Sequence, residues 1–348
     1  MTALPPGDAE VVPPVLPRRP TLVDVARLAR VAPSTASRAL KESPRISATT
    51  RDRVLAAARG LGYQPNRIAQ SLKAQITPFV GIVVPDIGIS FYSRFVKGAQ
   101  DTLERSGHQV LVMNTEREAA RESAALRTLE EHRVRGILLA TSSPVLPDLR
   151  ILTVFFDSIP AQGGVSSVAR ANGAGMALLV EHLVSHGHRR VAYIGGPPTF
   201  TSGVERLSGF RDAVTRFELD ARHAYVEIAD SSWSAASAAA AMERLLALAE
   251  PPTAVVTSGD TLALGAMSAC RAAGLKLPDD MALASFDDPV FGDLVEPPVT
   301  ALVRDEAELG RIAATMLLDA LAPGAPPREP AQVRLPVELV VRRSCGCA

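Results

Sequence analysis

From Phe79 onward the chain alternates short apolar runs with stretches of helical spacing, and this alternation restricts the fold more than any other feature. FVGIVVP precedes a predicted helix over 91–106, and HQVLVM precedes one over 119–132. RGILLA and ILTVFF follow, then a helix around 172–186, RRVAYIGG, a helix over 202–217, AYVEI and a helix over 233–249. TAVVTS, a helix over 260–273 and MALASF complete the series. A strand covered by helices on both faces has no solvent side, so it reads as a continuous apolar run. The pattern therefore predicts α/β architecture with doubly wound parallel sheets. With 348 residues there is chain enough for two such lobes and a small separate module.

The small module is predicted at the N-terminus. Leu22, Val25, Ala26, Leu28 and Ala29 form an apolar helical stripe behind Thr21, a residue type that caps helices. After the turn Arg30-Val31-Ala32, Pro33 suits a first helical position and opens a second short helix through Leu40. Ala36, Ala39 and Leu40 are expected inside it, with Ser34, Thr35, Ser37 and Arg38 outside. A third helix is expected over 47–60, capped by Ser47, with Val54, Leu55 and Ala58 inward. Short hydroxyl side chains and an arginine on the second helix suit entry into a major groove. Spacing alone fits a plain three-helix bundle equally well.

Charge sharpens the choice. From Arg18 to Lys73 there are twelve Lys or Arg against three acids (Asp24, Glu42, Asp52), although the whole chain is neutral with 37 of each sign. A basic head on an acidic body is the pattern of a protein that meets phosphates with one end.

Enzyme motifs are missing. No G-x-G-x-x-G follows a strand, and neither a G-x-x-x-x-G-K-[ST] loop nor a G-x-S-x-G elbow occurs. No catalytic residue and no cofactor are expected. Cys270, Cys345 and Cys347 are read as free thiols, with no further metal ligands evident beside them. His182 and His186 stand one helical turn apart. However, His186 falls in the last turn before Gly187, and His188 starts the next strand, so no metal site is expected. The opening MTALPPGDAEVVPPVLPRRP has no apolar core and reads as a flexible leader over 1–20. No membrane span and a cytoplasmic location are expected.

The segment TLVDVARLARVAPSTASRALKESPRISATTRDRVLAAARGLGYQPNRIAQSLK resembles the N-terminal module of LacI/GalR-family regulators. The likeness follows the family pattern T-L-x-D-V-A, then V-S-x-x-T-V-S-R, then G-Y-x-P-N-x-x-A-x-x-L. It implies a helix-turn-helix domain over 21–64 in which Pro33, Ser34 and Arg38 read base edges of a double-stranded operator. Thr21, Thr35, Ser37, Ser47, Thr50 and Asn66 would hold phosphates. Residues 65–77 would form a hinge helix and linker, with Leu72 wedged into the minor groove beside Lys73. Alone, a hinge helix over 65–73 is shorter than the roughly 12–15 residues that are marginal in water, so it would fold when two copies meet on DNA.

The resemblance continues through EHLVSHGHRRVAYIGGP, ERLSGFRDA, TSGDTLALGAMSACRAAGLKLPDDMALASFDD and EPPVTALVRDEAELGRIA, and ends in PVELVVRRSCG. It implies a periplasmic-binding-protein type I sensor and dimerisation domain over 78–348, with three crossovers. The first lobe would comprise about 78–173 and 304–334, and the second 174–303 and 335–348. Ligands of such folds lie at the C-terminal ends of strands. Asp157, Arg206, Trp233 and Asp287 would line the cleft, with Phe91 and Tyr92 as a second wall in the loop after the first strand. These groups suit a sugar-like effector: carboxylates accept from hydroxyls, arginine donates, and Trp offers a ring face. Each residue has a plainer use: Arg206 as a helix cap, Asp287 as a turn former, Trp233 as core.

Several positions depart from the family pattern. Arg30 stands where Gly or Asn is usual, and Ala32 where a capping Ser is usual. Gly259 replaces an Asn that contacts ligand, Ala171 replaces a common Asp, and the segment between Leu139 and Ile151 is short enough to trim a helix. The resemblance implies a repressor, and because no long heptad follows the core, a homodimer and not a coiled-coil tetramer is expected. An effector-independent or purine-type regulator, and a solute-binding receptor, are the alternatives.

Overall fold

A computed structural model describes residues 20–40, 43–63, 77–143, 145–160, 164–219, 224–229, 233–290, 292–303, 305–324 and 329–347. The chain divides after residue 75 into two compact units. Most of the expected leader, and the expected hinge with Asn66, Leu72 and Lys73, lie outside the described residues.

In the first unit, α1 (Leu22–Leu28), α2 (Pro33–Leu40) and α3 (Ala48–Gly60) form the expected triplet. Thr21 caps α1 in a reciprocal box with Asp24, and Ser47 caps α3. Val25, Ala26, Ala29, Ala36, Ala39, Val54, Ala57 and Ala58 make the core. Two expected inward residues differ. Leu28 is 56% exposed, because the stripe through 22, 25, 26 and 29 leaves position 28 on the outer side. On α3 Leu55 is only half-buried and Ala57 takes the interior. Arg30 adopts φ 52° in the turn after α1, the left-handed conformation that Gly and Asn tolerate best. Ala32 accepts backbone bonds from Thr35 and Ala36 at the start of α2, yet its methyl cannot cap.

The second unit holds two six-stranded sheets. The first contains β1 (Phe79–Val84), β2 (Gln109–Asn114), β3 (Ile137–Leu139), β4 (Thr153–Phe156), β5 (Ser167–Arg170) and β11 (Gln332–Leu335), in the order β11-β5-β4-β3-β1-β2. The second contains β6 (Val191–Gly195), β7 (Ala224–Ile228), β8 (Ala254–Thr257), β9 (Ala282–Ser285), β10 (Thr300–Val303) and β12 (Glu338–Val340), in the order β12-β10-β9-β8-β6-β7. The pairings are parallel except that of β10 with β12. As expected, β1, β3, β6, β8 and β9 are buried along nearly their whole length, and so is β5, which is not among the predicted runs. The runs that form β2 and β7 differ: they lie at sheet edges and are only partly buried.

Helices cover both faces of each sheet. The first sheet packs on α4 (Ser90–Arg105) and α10 (Glu306–Leu321) on one side, and on α5 (Ala119–Glu131) on the other. The second packs on α6 (Asn172–Ser185) and α7 (Thr201–Arg216), and on α8 (Ala235–Leu246) and α9 (Asp260–Ala272). Helices α4 and α10 touch backbone to backbone. A Cβ on Gly98 would lie 2.0 Å from the Ala307 carbonyl oxygen, and one on Gly310 would lie 2.2 Å from that of Phe95.

The chain passes between the sheets at Ala171, between β10 and α10, and between β11 and β12. The third passage comes slightly later than expected, because Leu335 still pairs with Arg170 in the first sheet. The first comes slightly earlier, because α6 already packs on the second sheet from Asn172. Among the described residues from 140 to 152 there is no helix between β3 and β4, consistent with the short segment.

Candidate functional site

Helix α2 presents a polar face made by its sequence. Pro33, Ser34 and Arg38 are exposed, and Thr35 and Ser37 are half-buried, while Ala36 and Ala39 anchor the opposite side. Arg38 therefore projects from a short, rigidly backed helix with small neighbours, the arrangement a groove-reading arginine needs. The N-terminus of α3 is also open. The Ser47 hydroxyl donates to Thr50 Oγ1 at 3.0 Å and accepts the Thr50 N–H at 3.4 Å, which leaves the Thr50 hydroxyl proton for an anion at a helix N-terminus. Thr21 is more committed: its hydroxyl donates to Asp24 Oδ2 at 2.6 Å. It can donate to a phosphate only by leaving that partner.

In the second unit, loops at the C-terminal ends of β1, β2, β4, β6, β8 and β9 converge on one cleft. All six expected residues, Phe91, Tyr92, Asp157, Arg206, Trp233 and Asp287, line it. Phe91 and Tyr92 are not in a loop but on the first turn of α4, which starts at Ser90. Asp157 follows β4, and Asp287 follows β9. Arg206 lies mid-helix on α7 and does not cap it.

The principal residue that sequence reasoning missed is Arg170, the last of β5. Its side chain is 4% exposed and pairs with Asp157 Oδ1 at 3.0 Å and with Asp287. Arg170 also lies over the Phe91 ring, 4.5 Å from its centroid. Arg206 donates to Asn172 Oδ1 at 3.0 Å and to the Ser258 carbonyl, and reaches Asp287 Oδ2 at 3.5 Å. Tyr92 donates its hydroxyl to Asp157 Oδ2 at 3.0 Å. A four-residue strand ending in arginine carries no signal that its last side chain turns into a cleft.

Burial and mutual charge set the protonation states. Burial opposes a charge on Arg170, yet Asp287 and Asp157 outweigh it and hold the guanidinium above its ordinary value. Burial, followed by the neighbouring Asp157 carboxylate, pushes the Tyr92 hydroxyl up. Burial and then the charge of Arg170 lower Arg206. Burial and then Asp287 raise Asp260, at the start of α9. Arg117, Arg170 and Arg206 face Asp157, Asp260 and Asp287 across the lining, so the described cleft is balanced in charge.

Two lining residues hold strained backbone: Asp157 and Trp233 both have φ 52°, a conformation costing about 1–3 kcal/mol that clusters at functional sites. Trp233 precedes α8 and lies against Gly196, where a Cβ would come within 1.9 Å of the indole. At Gly259, which starts α9, an added Cβ would clear Asp287 Oδ2 by 3.6 Å. The first carbon of a side chain fits there. His188 turns away to Thr253 Oγ1 at 3.0 Å, whereas His182 and His186 face Cys345 and Cys347.

Residues 21–66 match the bacterial regulatory proteins of the lacI family, and residues 180–345 match the periplasmic binding protein-like domain. The chain is 30% identical over 319 residues to the HTH-type transcriptional repressor CytR of Escherichia coli K12, covering 86% of this chain and 89% of the relative. It is 32% identical over 305 residues to the ribose operon repressor of the same organism, covering 86% and 92%. The lac repressor dimer bound to operator and the anti-inducer ONPF superimposes with a TM-score of 0.84 at 28% identity, covering 94% of this chain and 99% of that one. The transcriptional regulator CelR in its cellobiose complex superimposes at 0.70 with 31% identity, covering 94% and 100%. With a helical head, two crossed-over lobes and an interlobe cleft in the same order along the chain, this protein belongs to the LacI family of bacterial transcriptional regulators.

Proposed function

We propose that the protein is a repressor that binds a palindromic operator as a homodimer and releases or tightens it in response to a small polyhydroxylated metabolite. The exposed Ser34 and Arg38 on α2, backed by a closed three-helix core, carry this reading. In the assigned division of labour, 21–64 reads DNA and 65–77 forms the hinge over the minor groove with Asn66, Leu72 and Lys73. The span 78–348 senses and dimerises. Pro33, Ser34 and Arg38 face the bases, while Thr21, Thr35, Ser37, Ser47 and Thr50 hold the backbone.

The effector class follows from the cleft. Its charges balance, so a net-charged ligand would leave one partner unpaired, whereas a neutral polyol can accept from Arg206 and donate to Asp157 and Asp287. Phe91, Tyr92 and Trp233 supply ring faces. Similar proteins hold such ligands: the CelR structure is a cellobiose complex, and a lac repressor structure is bound to ONPG.

Catalysis is not part of the proposal. Asp157 and Asp287, the carboxylates nearest to an acid–base pair, are both ion-paired with Arg170, which suits them to holding a ligand. No described helix is long and apolar enough to cross a membrane, and the proposed place of action is the cytoplasm, beside DNA. A regulator of the same fold without an effector is the second reading, favoured by Gly259 and Ala171, which bring no polar side chain to the cleft.

The experiment is a titration of palindromic DNA fragments from the gene's own upstream region, repeated with a panel of neutral sugars and nucleosides. A sequence-specific shift that one panel member changes by tenfold or more supports the proposal. Specific binding that no panel member alters favours the second reading, and no specific binding refutes both.

A further inference from the structure

We infer that the C-terminal end of the chain and the end of α6 together form a tetrahedral zinc(II) site, with His182, His186, Cys345 and Cys347 as ligands. The residues come from two distant segments. His182 lies in the last turn of α6 and His186 is its C-cap residue, so the H-x₃-H spacing puts both rings on one side, with centroids 4.6 Å apart. Cys345 closes the 3₁₀ turn Arg343–Cys345, and Gly346 follows with φ 90°. That left-handed residue reverses the chain, so Cys347 returns towards the same helix.

The donor atoms of His182, His186 and Cys347 all lie within 4.8 Å of one another, and Cys345 Sγ adjoins two of them. Cys345 Sγ lies 3.2 Å from His182 Nε2 and 3.2 Å from Cys347 Sγ. Cys347 Sγ lies 2.7 Å from His186 Nε2 and 3.5 Å from His182 Nε2. Bond lengths of about 2.05 Å to nitrogen and 2.3 Å to sulfur give tetrahedral edges of about 3.4–3.8 Å. The 3.5 Å separation matches such an edge, the two of 3.2 Å are somewhat short and the 2.7 Å one between Cys347 and His186 is the shortest, so Cys347 and His186 must move apart to admit the ion. Ordinary packing has little reason to gather two imidazole nitrogens and two free thiols at one point.

The surroundings prepare the donors. His186 Nδ1 lies 3.1 Å from the His182 carbonyl oxygen. A carbonyl only accepts, so this bond places the ring proton on Nδ1 and leaves the Nε2 lone pair directed at Cys347. Carbonyl bonds of this kind orient metal-bound histidines. The Thr300 hydroxyl, 3.0 Å from Cys345 Sγ, is placed to donate to a thiolate. Cys345 is fully buried, whereas His186 is exposed and Cys347 half-buried, so an ion can enter from solvent.

Two thiolates with two imidazoles in tetrahedral array suit zinc, which has no geometric preference of its own and binds borderline-soft donors. All four positions are filled by protein, which marks a structural ion and not a catalytic one. Bound there, it clamps residues 343–347 to α6 and so fixes the chain end against the second lobe. The H-x₃-H spacing falls in the range of known structural zinc sites, and the C-x-C spacing is one residue tighter.

The test uses the full-length protein, reduced and stripped of metal, titrated with cobalt(II) and then zinc(II). The expected result is one cobalt per chain, with intense visible bands of tetrahedral cobalt and a thiolate charge-transfer band, all abolished by zinc. Cys347→Ser and His186→Ala, at accessible positions that leave folding intact, are expected to weaken binding by more than roughly 100-fold, beyond the loss of an outer partner. His132→Ala, on the exposed end of α5, is expected to bind as wild type. No cobalt uptake by the fully reduced protein, octahedral cobalt bands, or equal binding by Cys347→Ser and wild type would each overturn the assignment. Isolation of a Cys345–Cys347 disulfide that takes up no metal after reduction would do so too.

Discussion

Arg170, at the end of the first sheet's β5, is ion-paired with Asp287, which follows β9 of the second sheet, so a buried guanidinium ties the two lobes across the cleft. The same guanidinium holds Asp157 at 3.0 Å. A ligand in the proposed site would compete with the ion pair for the same donors and acceptors. A ligand that binds one lobe arrangement better than the other shifts the equilibrium between them by that difference in affinity.

Removing this guanidinium is costly. Arg170→Met leaves the Asp157 carboxylate, with a side chain 8% exposed, buried without its cation; Asp287, at 23%, is better solvated. The expected loss is about 3 kcal/mol, the low end for breaking a buried pair, read as a shift in urea midpoint at constant slope. Adding Asp157→Asn and Asp287→Asn to the same variant is expected to recover part of it. An unchanged midpoint in Arg170→Met would show that the pair contributes nothing.

Asp287 also separates the two functions. Asp287→Asn keeps an acceptor in place without stranding Arg206, so the head and its core are untouched. DNA affinity without ligand is expected to match wild type, and the response to ligand to fall at least tenfold. Leu72→Ala, in the proposed hinge, is expected to do the reverse, with weaker DNA binding and unaltered ligand affinity in the DNA-free protein. Paired titrations of DNA and ligand on both variants check this; parallel losses in one variant would contradict it.

The head was the most legible part of the sequence, because its contacts are local. Thr21 with Asp24, Pro33 at the start of α2 and Ser47 at the start of α3 each act within one turn. The six named cleft residues were also legible, but only through family likeness. Arg170 was not, since its partners lie 13 and 117 positions away. The histidine–cysteine cluster was hidden for the same reason: His182 and Cys345 are 163 residues apart, and no local pattern joins a helix end to a chain end. Leu28 shows the opposite error, where an apolar residue beside a helical stripe was counted into it.

Two departures from the family pattern now have local geometry. Arg30 sits at φ 52°, so Arg30→Gly is expected to stabilise the head by about 1 kcal/mol. Ala32→Ser supplies the missing acceptor at the start of α2 and is expected to add a similar amount, about 1 kcal/mol. Thermal unfolding of the head, followed in the full-length protein, measures both. A fall in midpoint for Arg30→Gly would mean that the arginine makes contacts outweighing its backbone strain.

Glu122 gives a pH dependence with a definite sign. It is 2% exposed and accepts from the Thr141 hydroxyl at 2.8 Å and from the Ser142 N–H. Burial, only partly offset by these bonds, holds its carboxyl above the ordinary value of 4.5. The folded chain keeps that proton to a higher pH than the unfolded chain, so this residue's contribution to stability falls as pH rises from 4.5 through the folded-state value. Glu122→Gln is expected to remove that decline, which has a limiting slope of about 1.4 kcal/mol per pH unit. Parallel stability curves for the two proteins between pH 4.5 and 7 would contradict the assignment.

The central claim, that α2 reads base sequence through Arg38, is tested most directly by DNA titration of wild type and Arg38→Ala at one salt concentration. Each protein is titrated with the operator and with a scrambled duplex of equal length. Arg38 is exposed and belongs to no core, so the fold and the proposed dimer should be unchanged. The account predicts that Arg38→Ala loses about 1–3 kcal/mol of discrimination, or roughly 5–150-fold, with a much smaller change on scrambled DNA. Equal affinity of both proteins for the operator would contradict it.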